Sequence, residues 1–190
     1  MIKAKANVKI TSDDTKVLNE VLKELEKASV YVGIPEENAD REDGKMNNAQ
    51  LLMIHTKGSP ARNLPARPVL EPALEADDNK IKISAGLLNA AKQSFDGNAS
   101  GFITKLNNVG RLAQGICQRW FTDPRNGWPP NKPATVLAKI HKIKGKRGKA
   151  AAEEYLRRIS EGESMVGLDT PLIDTGEMRK AITYVVKDNE

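Results

Sequence analysis

The 190 residues leave room for one domain with appendages or two small ones. Apolar residues at 39% and charged residues at 29% permit a folded core, and aromatics at 4% require that core to be aliphatic. One cysteine, Cys117, excludes an intrachain disulfide, no apolar run is long enough to span a bilayer, and a net charge of +5 is compatible with nucleic acid or acidic partners without demanding them. The single cysteine fits a reducing place of synthesis. Met1 to Lys5 has no continuous apolar stretch, so a secretory leader is not expected.

Met1 to Thr11 alternates, with Ile2, Ala4, Ala6, Val8 and Ile10 on one face and lysines on the other, the pattern of a half-buried edge strand. Ser12 to Asp14 offers a cap for an amphipathic helix over Thr15 to Ala28, built on Val17, Leu18, Val21, Leu22 and Leu25. Ser29 to Ile34 reads as a strand closed by Pro35, and Glu36 to Lys45 as an exposed loop. Asn47 or Asn48 can cap a short helix through Leu51, Leu52, Ile54 and His55, ending at Gly58. The prolines between Ser59 and Pro68 argue against regular structure there.

Val69 to Phe95 follows as one long helical pattern on Leu70, Leu74, Ile81, Ala85, Leu88, Ala91 and Phe95, weakened at Gly86. A turn at Gly97 to Gly101 leads into a second helix, Phe102 to Phe121. An antiparallel hairpin is the natural packing of the two. Asp123 to Pro133 is a second proline-rich loop, around Trp128. A short helix over Ala134 to Ile143 then runs into a glycine-punctuated basic stretch, and Ala150 to Ile159 has strong helical propensity. Residues 145–167 have the look of an insertion. The chain closes with Pro171, Leu172 and Ile173, a cap at Asp174 or Thr175, one helical turn over Gly176 to Lys180, and a β-branched run from Ile182 to Val186. The expected fold is a single α+β domain over residues 1–190: a small, mostly antiparallel sheet packed by a helical hairpin, with long proline loops.

Catalytic chemistry has little to build on. His55 and His141 are far apart, and neither falls in a metal-ligand spacing. Cys117 lies on the apolar face of its helix, where a thiol is inert. No glycine-rich loop carries a phosphate cradle's ending. The reading is a non-enzyme without metal or cofactor. Lys142, Lys144, Lys146, Arg147 and Lys149 form the best candidate contact with DNA or an acidic surface. It lacks interleaved aromatics, so it would be sequence-independent; the alternative is a solvated loop. Two rigid loops remain, one holding Arg62, Leu64, Pro65, Arg67 and Pro68 and one holding Trp128, Pro129 and Pro130. Trp and Arg favour interface anchors, and Trp128 equally suits a plug of the local core.

Four segments in order carry a resemblance: Val32-Gly33-Ile34-Pro35; Ile54-His55 with Gly58-Ser59 and Leu64-Pro65-Ala66-Arg67-Pro68-Val69-Leu70; Gly127-Trp128-Pro129-Pro130-Asn131 with Thr135 and Lys139; and Pro171-Leu172-Ile173-Asp174-Thr175-Gly176-Glu177-Met178. Over roughly residues 29–186 the chain resembles the tail-completion, or virion morphogenesis, proteins of tailed bacteriophages, also called minor tail or neck proteins. It departs from them at Thr56 and Lys57 and in the length of the insertion. The resemblance implies a structural protein of the virion, made in the host bacterial cytoplasm. It would act at the head–tail junction as a ring subunit, commonly six-fold. Its partners would be itself and the neighbouring neck, connector, tail terminator, tube or sheath proteins, with non-specific DNA contact in the channel and no membrane. The rival function is a basic, sequence-independent nucleic-acid-binding protein.

Overall fold

A computed structural model describes residues 16, 19, 22, 23, 25, 26, 28–41, 46–163 and 170–188. Strand β1, Ala28–Gly33, pairs antiparallel with β2, Thr183–Asp188, with Gly33 opposite Thr183 and Ala28 opposite Asp188. The β-branched run at the end of the chain is thus woven into a sheet with the first internal strand. The expected strand at Met1 to Thr11 lies outside the described residues. So does part of the Thr15 to Ala28 helix, whose described positions are helical.

Helix α1 spans Asn48–Lys57. Asn47 caps it: its side chain accepts from the Gln50 backbone N–H while the Gln50 side chain accepts from the Asn47 backbone N–H. Gly58, at φ 68°, ends it. A Cβ on Gly58 would lie 2.7 Å from the Ala66 backbone nitrogen, so the next loop folds back tightly over this point. That loop is more ordered than its prolines imply. Pro60–Arg62 makes one 3₁₀ turn, and Ser59 and Leu64 exchange backbone hydrogen bonds at 2.8 and 3.0 Å.

The expected single helix over Val69 to Phe95 is two helices, α2 at Leu70–Glu75 and α3 at Asp77–Phe95. The break falls at Ala76, in extended backbone, rather than at Gly86. Asp77 and Asp78 suit a fresh helix start, where the dipole favours negative charge. Buried Asn79 ties the break together by donating to the Ala73 carbonyl at 2.9 Å. Gly86 stays helical because it is a contact point: a Cβ there would approach the Val109 methyl to 2.7 Å.

Helix α4, Ala99–Trp120, is capped by Asn98 and packs antiparallel on α3 as the expected hairpin. It is the spine of the core. Leu52, Val69, Ala73, Ile116, Cys117, Trp120, Phe121, Met178 and Ile182 form the main buried cluster. Ala90, Phe102 and Leu106 form a second, which Leu25, Ala28, Val30 and Val186 cover. The expected face of α3 is reversed. Ala90 and Ser94 are buried, while Ile81, Leu88 and Phe95 are exposed. Small residues let the hairpin helices close in, and that decides which face turns inward.

Helices α5, Pro133–Lys142, and α6, Lys146–Glu161, pack on each other through Val136, Ile140 and Tyr155. The basic stretch is no loop or flexible arm from Lys146 onward. Lys146, Arg147 and Lys149 sit in the first turn of α6. Helix α7, Glu177–Ala181, is the helical turn expected before the last strand, but its N-cap is Gly176 at φ 81° rather than Asp174 or Thr175, and no side chain caps it. The Glu177 N–H makes a long 3.4 Å bond to the Thr175 hydroxyl. Among the described residues no helix is long and apolar enough to cross a membrane.

Candidate functional site

Three of the four resembling segments, distant in sequence, line one cleft of about 1030 Å³. One wall is the end of α1 and the loop after it, with His55, Ser59, Leu64, Pro65 and Arg67. A second is Pro130, Asn131, Thr135 and Lys139, and a third is the run from Leu172 to Met178. The site exists because Arg67 ties the two proline loops together. Its side chain is 4% exposed, and Nη2 donates to the carbonyls of Pro129 at 2.7 Å and Pro130 at 3.2 Å. Its backbone N–H donates to the His55 carbonyl at 2.7 Å, which holds the loop against α1. Pro129 and Pro130 offer backbone acceptors and no N–H donors, so a guanidinium, which only donates, is an apt clamp.

Trp128 makes the second tie. Its indole N–H donates to the Pro68 carbonyl at 3.1 Å, and its ring meets Phe121 edge-on at 5.9 Å. Trp128 is half-buried and partnered within its own chain. Of the two candidate loops, Arg67 faces inward, Leu64, Pro65 and Pro68 are half-buried, and Arg62, Pro129 and Pro130 are exposed to solvent.

The third wall is strained. Leu172 at φ 63° and Asn63 at φ 51° are the two non-glycine residues with positive φ among those described, and both line the cleft. A branched side chain such as Leu172 in this region costs on the order of 1–2 kcal/mol. Strain of this kind collects where the chain must present a particular shape.

The lining carries Arg41, Lys57, Arg67, Lys132 and Lys139 against the carboxylates Asp174 and Glu177. Both carboxylates have cations beside them: Asp174 is ion-paired with Lys142, and Glu177 lies 3.8 Å from Arg41. Lys139 donates to the Thr170 carbonyl at 2.7 Å. Lys57 and Lys132 stand exposed at the rim. The cleft thus offers apolar contacts at Leu51, Leu64 and Met178 and exposed cations at its rim. Arg41 was not foreseen as a site residue. It is the single cation among the five acids between Glu36 and Asp43, and its Nη1 donates to buried Asn48 at 3.2 Å.

His55 is held neutral. Burial and the neighbouring Arg67 charge push its pKa below the ordinary 6.5, and its Nδ1 is buried without a hydrogen-bond partner. The unfolded chain takes up this proton more readily than the folded one. Stability should therefore fall as pH drops below 6.5, and His55→Gln should flatten that slope in urea melts run from neutral pH downward. An unchanged slope would assign it to other groups. Cys117 is fully buried, with its thiol pushed up to about 12, and so is a neutral core group rather than a nucleophile. Among the described residues no three His, Cys, Asp or Glu side chains gather as a metal site.

The basic corner lies apart in character. Lys144, Lys146, Arg147 and Lys149 are exposed and have no ion-pair partner among the described residues, while the carboxylates Glu154, Glu161 and Glu163 further along are engaged by Arg157 and Arg158. Fold and cleft together define an α+β protein with a helical-hairpin spine and one large motif-lined groove. No protein-family model, curated protein or solved structure matches the chain.

Proposed function

We propose that this chain is a structural subunit of a tailed-bacteriophage virion. It acts in tail completion and head–tail joining as a ring subunit of the neck, commonly six copies, and it is not an enzyme. One observation carries the reading: three of the four segments that bear the resemblance, spread from His55 to Met178, converge on a single cleft. A ring subunit needs a rigid socket for its neighbour, and heterologous contacts close into a ring when the rotation allows. The clamp of Arg67 and the strained backbone at Leu172 supply rigidity. The exposed Arg62, Pro129 and Pro130 stand at the surface where a neighbouring subunit, connector, terminator, tube or sheath protein would meet it.

The test is to block translation of this gene in an infected or induced host and image the lysate. Full heads lying beside unattached or abnormal tails are the expected result. Normal infectious particles would overturn the proposal. They would also bring forward the second reading, a sequence-independent nucleic-acid-binding protein. That reading rests on the exposed cations from Lys144 to Lys149, three of them placed in the first turn of α6 against the helix dipole.

A further inference from the structure

Among the groups that line the cleft, His55 alone ordinarily titrates near neutral pH. It stands in the last turn of α1, directly on the Arg67 clamp. Its backbone carbonyl accepts the Arg67 backbone N–H at 2.7 Å, and its ring nitrogen Nδ1 is buried with no hydrogen-bond partner. A proton added at Nδ1 therefore finds no acceptor in the closed cleft. The resulting cation also meets one that cannot be discharged, because the Arg67 guanidinium keeps its proton throughout. The remaining charged groups of the cleft do not relieve this. Lys57 on the same helix, Arg41 in the loop before it, and Lys132 and Lys139 before and within α5 are cations. The carboxylates are Asp174 and Glu177, which have Lys142 and Arg41 beside them. The charge that acts on His55 is that of Arg67.

We propose that His55 and Arg67 make the cleft an acid-sensitive switch: a proton on His55 drives the Arg67 guanidinium off the Pro129 and Pro130 carbonyls, and the wall from Trp128 to Pro130 swings open. Helix α1 is fixed at both ends, by the Asn47 cap and by the turn at Gly58, so the loop side yields. The Trp128 indole bond to Pro68 spans the same two loops and opens with the clamp. In the open form His55 meets water and recovers its ordinary affinity for protons, whereas in the closed form burial and Arg67 lower it. Protons therefore bind the open form better. The closed form prevails above 6.5 and loses ground as pH falls below it. An occupant that needs the closed wall is released by acid. This switch goes beyond the ring reading and does not use it, since the cleft would open in the same way for any occupant.

Hydrogen exchange of the Trp128 indole N–H in the full chain tests it, followed by NMR from about pH 7.5 to about pH 4 and corrected for exchange in a free tryptophan amide. Protection should fall as pH drops below 6.5, by at most about tenfold per pH unit, in step with the titration of the His55 ring in the same samples. Backbone amides in the middle of α4 should stay better protected than the indole throughout, which separates local opening from unfolding. His55→Gln should hold the indole protection level over the range above about pH 5, and His141→Gln, on the exposed side of α5, should leave the fall unchanged. Level protection in the parent chain overturns the proposal, as does a fall that persists in His55→Gln. An indole that exchanges no faster than the α4 amides overturns it too, because only whole-chain unfolding would then open the cleft. If His55→Gln did not fold, the ring titration would decide: a fall centred below about pH 4.5, where carboxylates titrate, overturns the switch.

Discussion

Arg67→Ala should destabilise the fold by about 2–3 kcal/mol, a fall in Tm of roughly 4–12 °C for a chain of this size. The side chain is 4% exposed and joins the two proline loops through the carbonyls of Pro129 and Pro130. Two effects oppose each other. Removing a buried cation relieves a desolvation cost, and an apolar replacement of similar volume is often harmless. Removing the donor also leaves two carbonyls without their shared partner and leaves a void where the buried side chain stood. The second effect should win, because the Arg67 guanidinium donates to both carbonyls at once and the Trp128 indole bond to Pro68 lies beside, not in place of, that tie. Arg67→Lys should recover only part of the loss, since one ammonium on a flexible stem replaces a planar fork. Urea melts with unchanged slope check this. If Arg67→Met were as stable as the parent, side-chain volume rather than hydrogen bonding would hold the loops, and the clamp argument would fail.

The same clamp explains what the sequence could and could not tell. Caps, prolines and β-branched runs act locally, so α1 with its Asn47 cap, the hairpin and the closing turn-and-strand at Glu177–Asp188 were all legible. The orientation of α3 was not. Its strongest apolar period, Ile81, Leu88 and Phe95, marks the open face. The inward face was set by where glycine, alanine and serine let α4 approach, and periodicity weights such small residues least. The break at Ala76 was missed for a related reason. It depends on buried Asn79 reaching back to Ala73, a contact across the break that no local propensity encodes. The basic stretch was read as loop because of Gly145 and Gly148. Yet Gly148 is helical and buried, and a Cβ there would lie 2.0 Å from the Ile143 carbonyl oxygen. The glycine marks a tight chain crossing at the start of α6, not a flexible joint. For the cleft, the sequence yielded the segments and their order. Their convergence needed the clamp at Arg67 and the left-handed backbone at Leu172, both of which are tertiary facts.

Gly110→Ala should be strongly damaging, costing about 3 kcal/mol, although alanine is the better helix former by about 1 kcal/mol. Gly110 is buried in the middle of α4, with the ring of Tyr184 from β2 pressed against it. An added Cβ would sit 2.1 Å from Tyr184 Cδ2 and 2.6 Å from Cγ, well inside contact distance. The ring has no cheap way to yield. Its hydroxyl donates to Asn107 Oδ1 at 3.2 Å, one turn earlier on α4, and its backbone is paired in register with Val32. A methyl group must therefore break that hydrogen bond or lift the sheet off its helix. Because the described sheet has two strands and α4 is its main support, the displacement reaches Val32 and the core around Ile182. A control lies five residues away. At Gly115 an added Cβ meets only the flexible end of Arg119, at 3.1 Å, so Gly115→Ala should be neutral or stabilising by up to about 1 kcal/mol. Opposite signs for the two substitutions in one helix would tie the effect to the Tyr184 contact rather than to helix propensity. Adding Tyr184→Val to Gly110→Ala should recover about half of the loss by removing the ring that the methyl displaces. If Gly110→Ala instead raised Tm as Gly115→Ala does, the close packing of β2 on α4 would be wrong, and with it the placement of the closing strand.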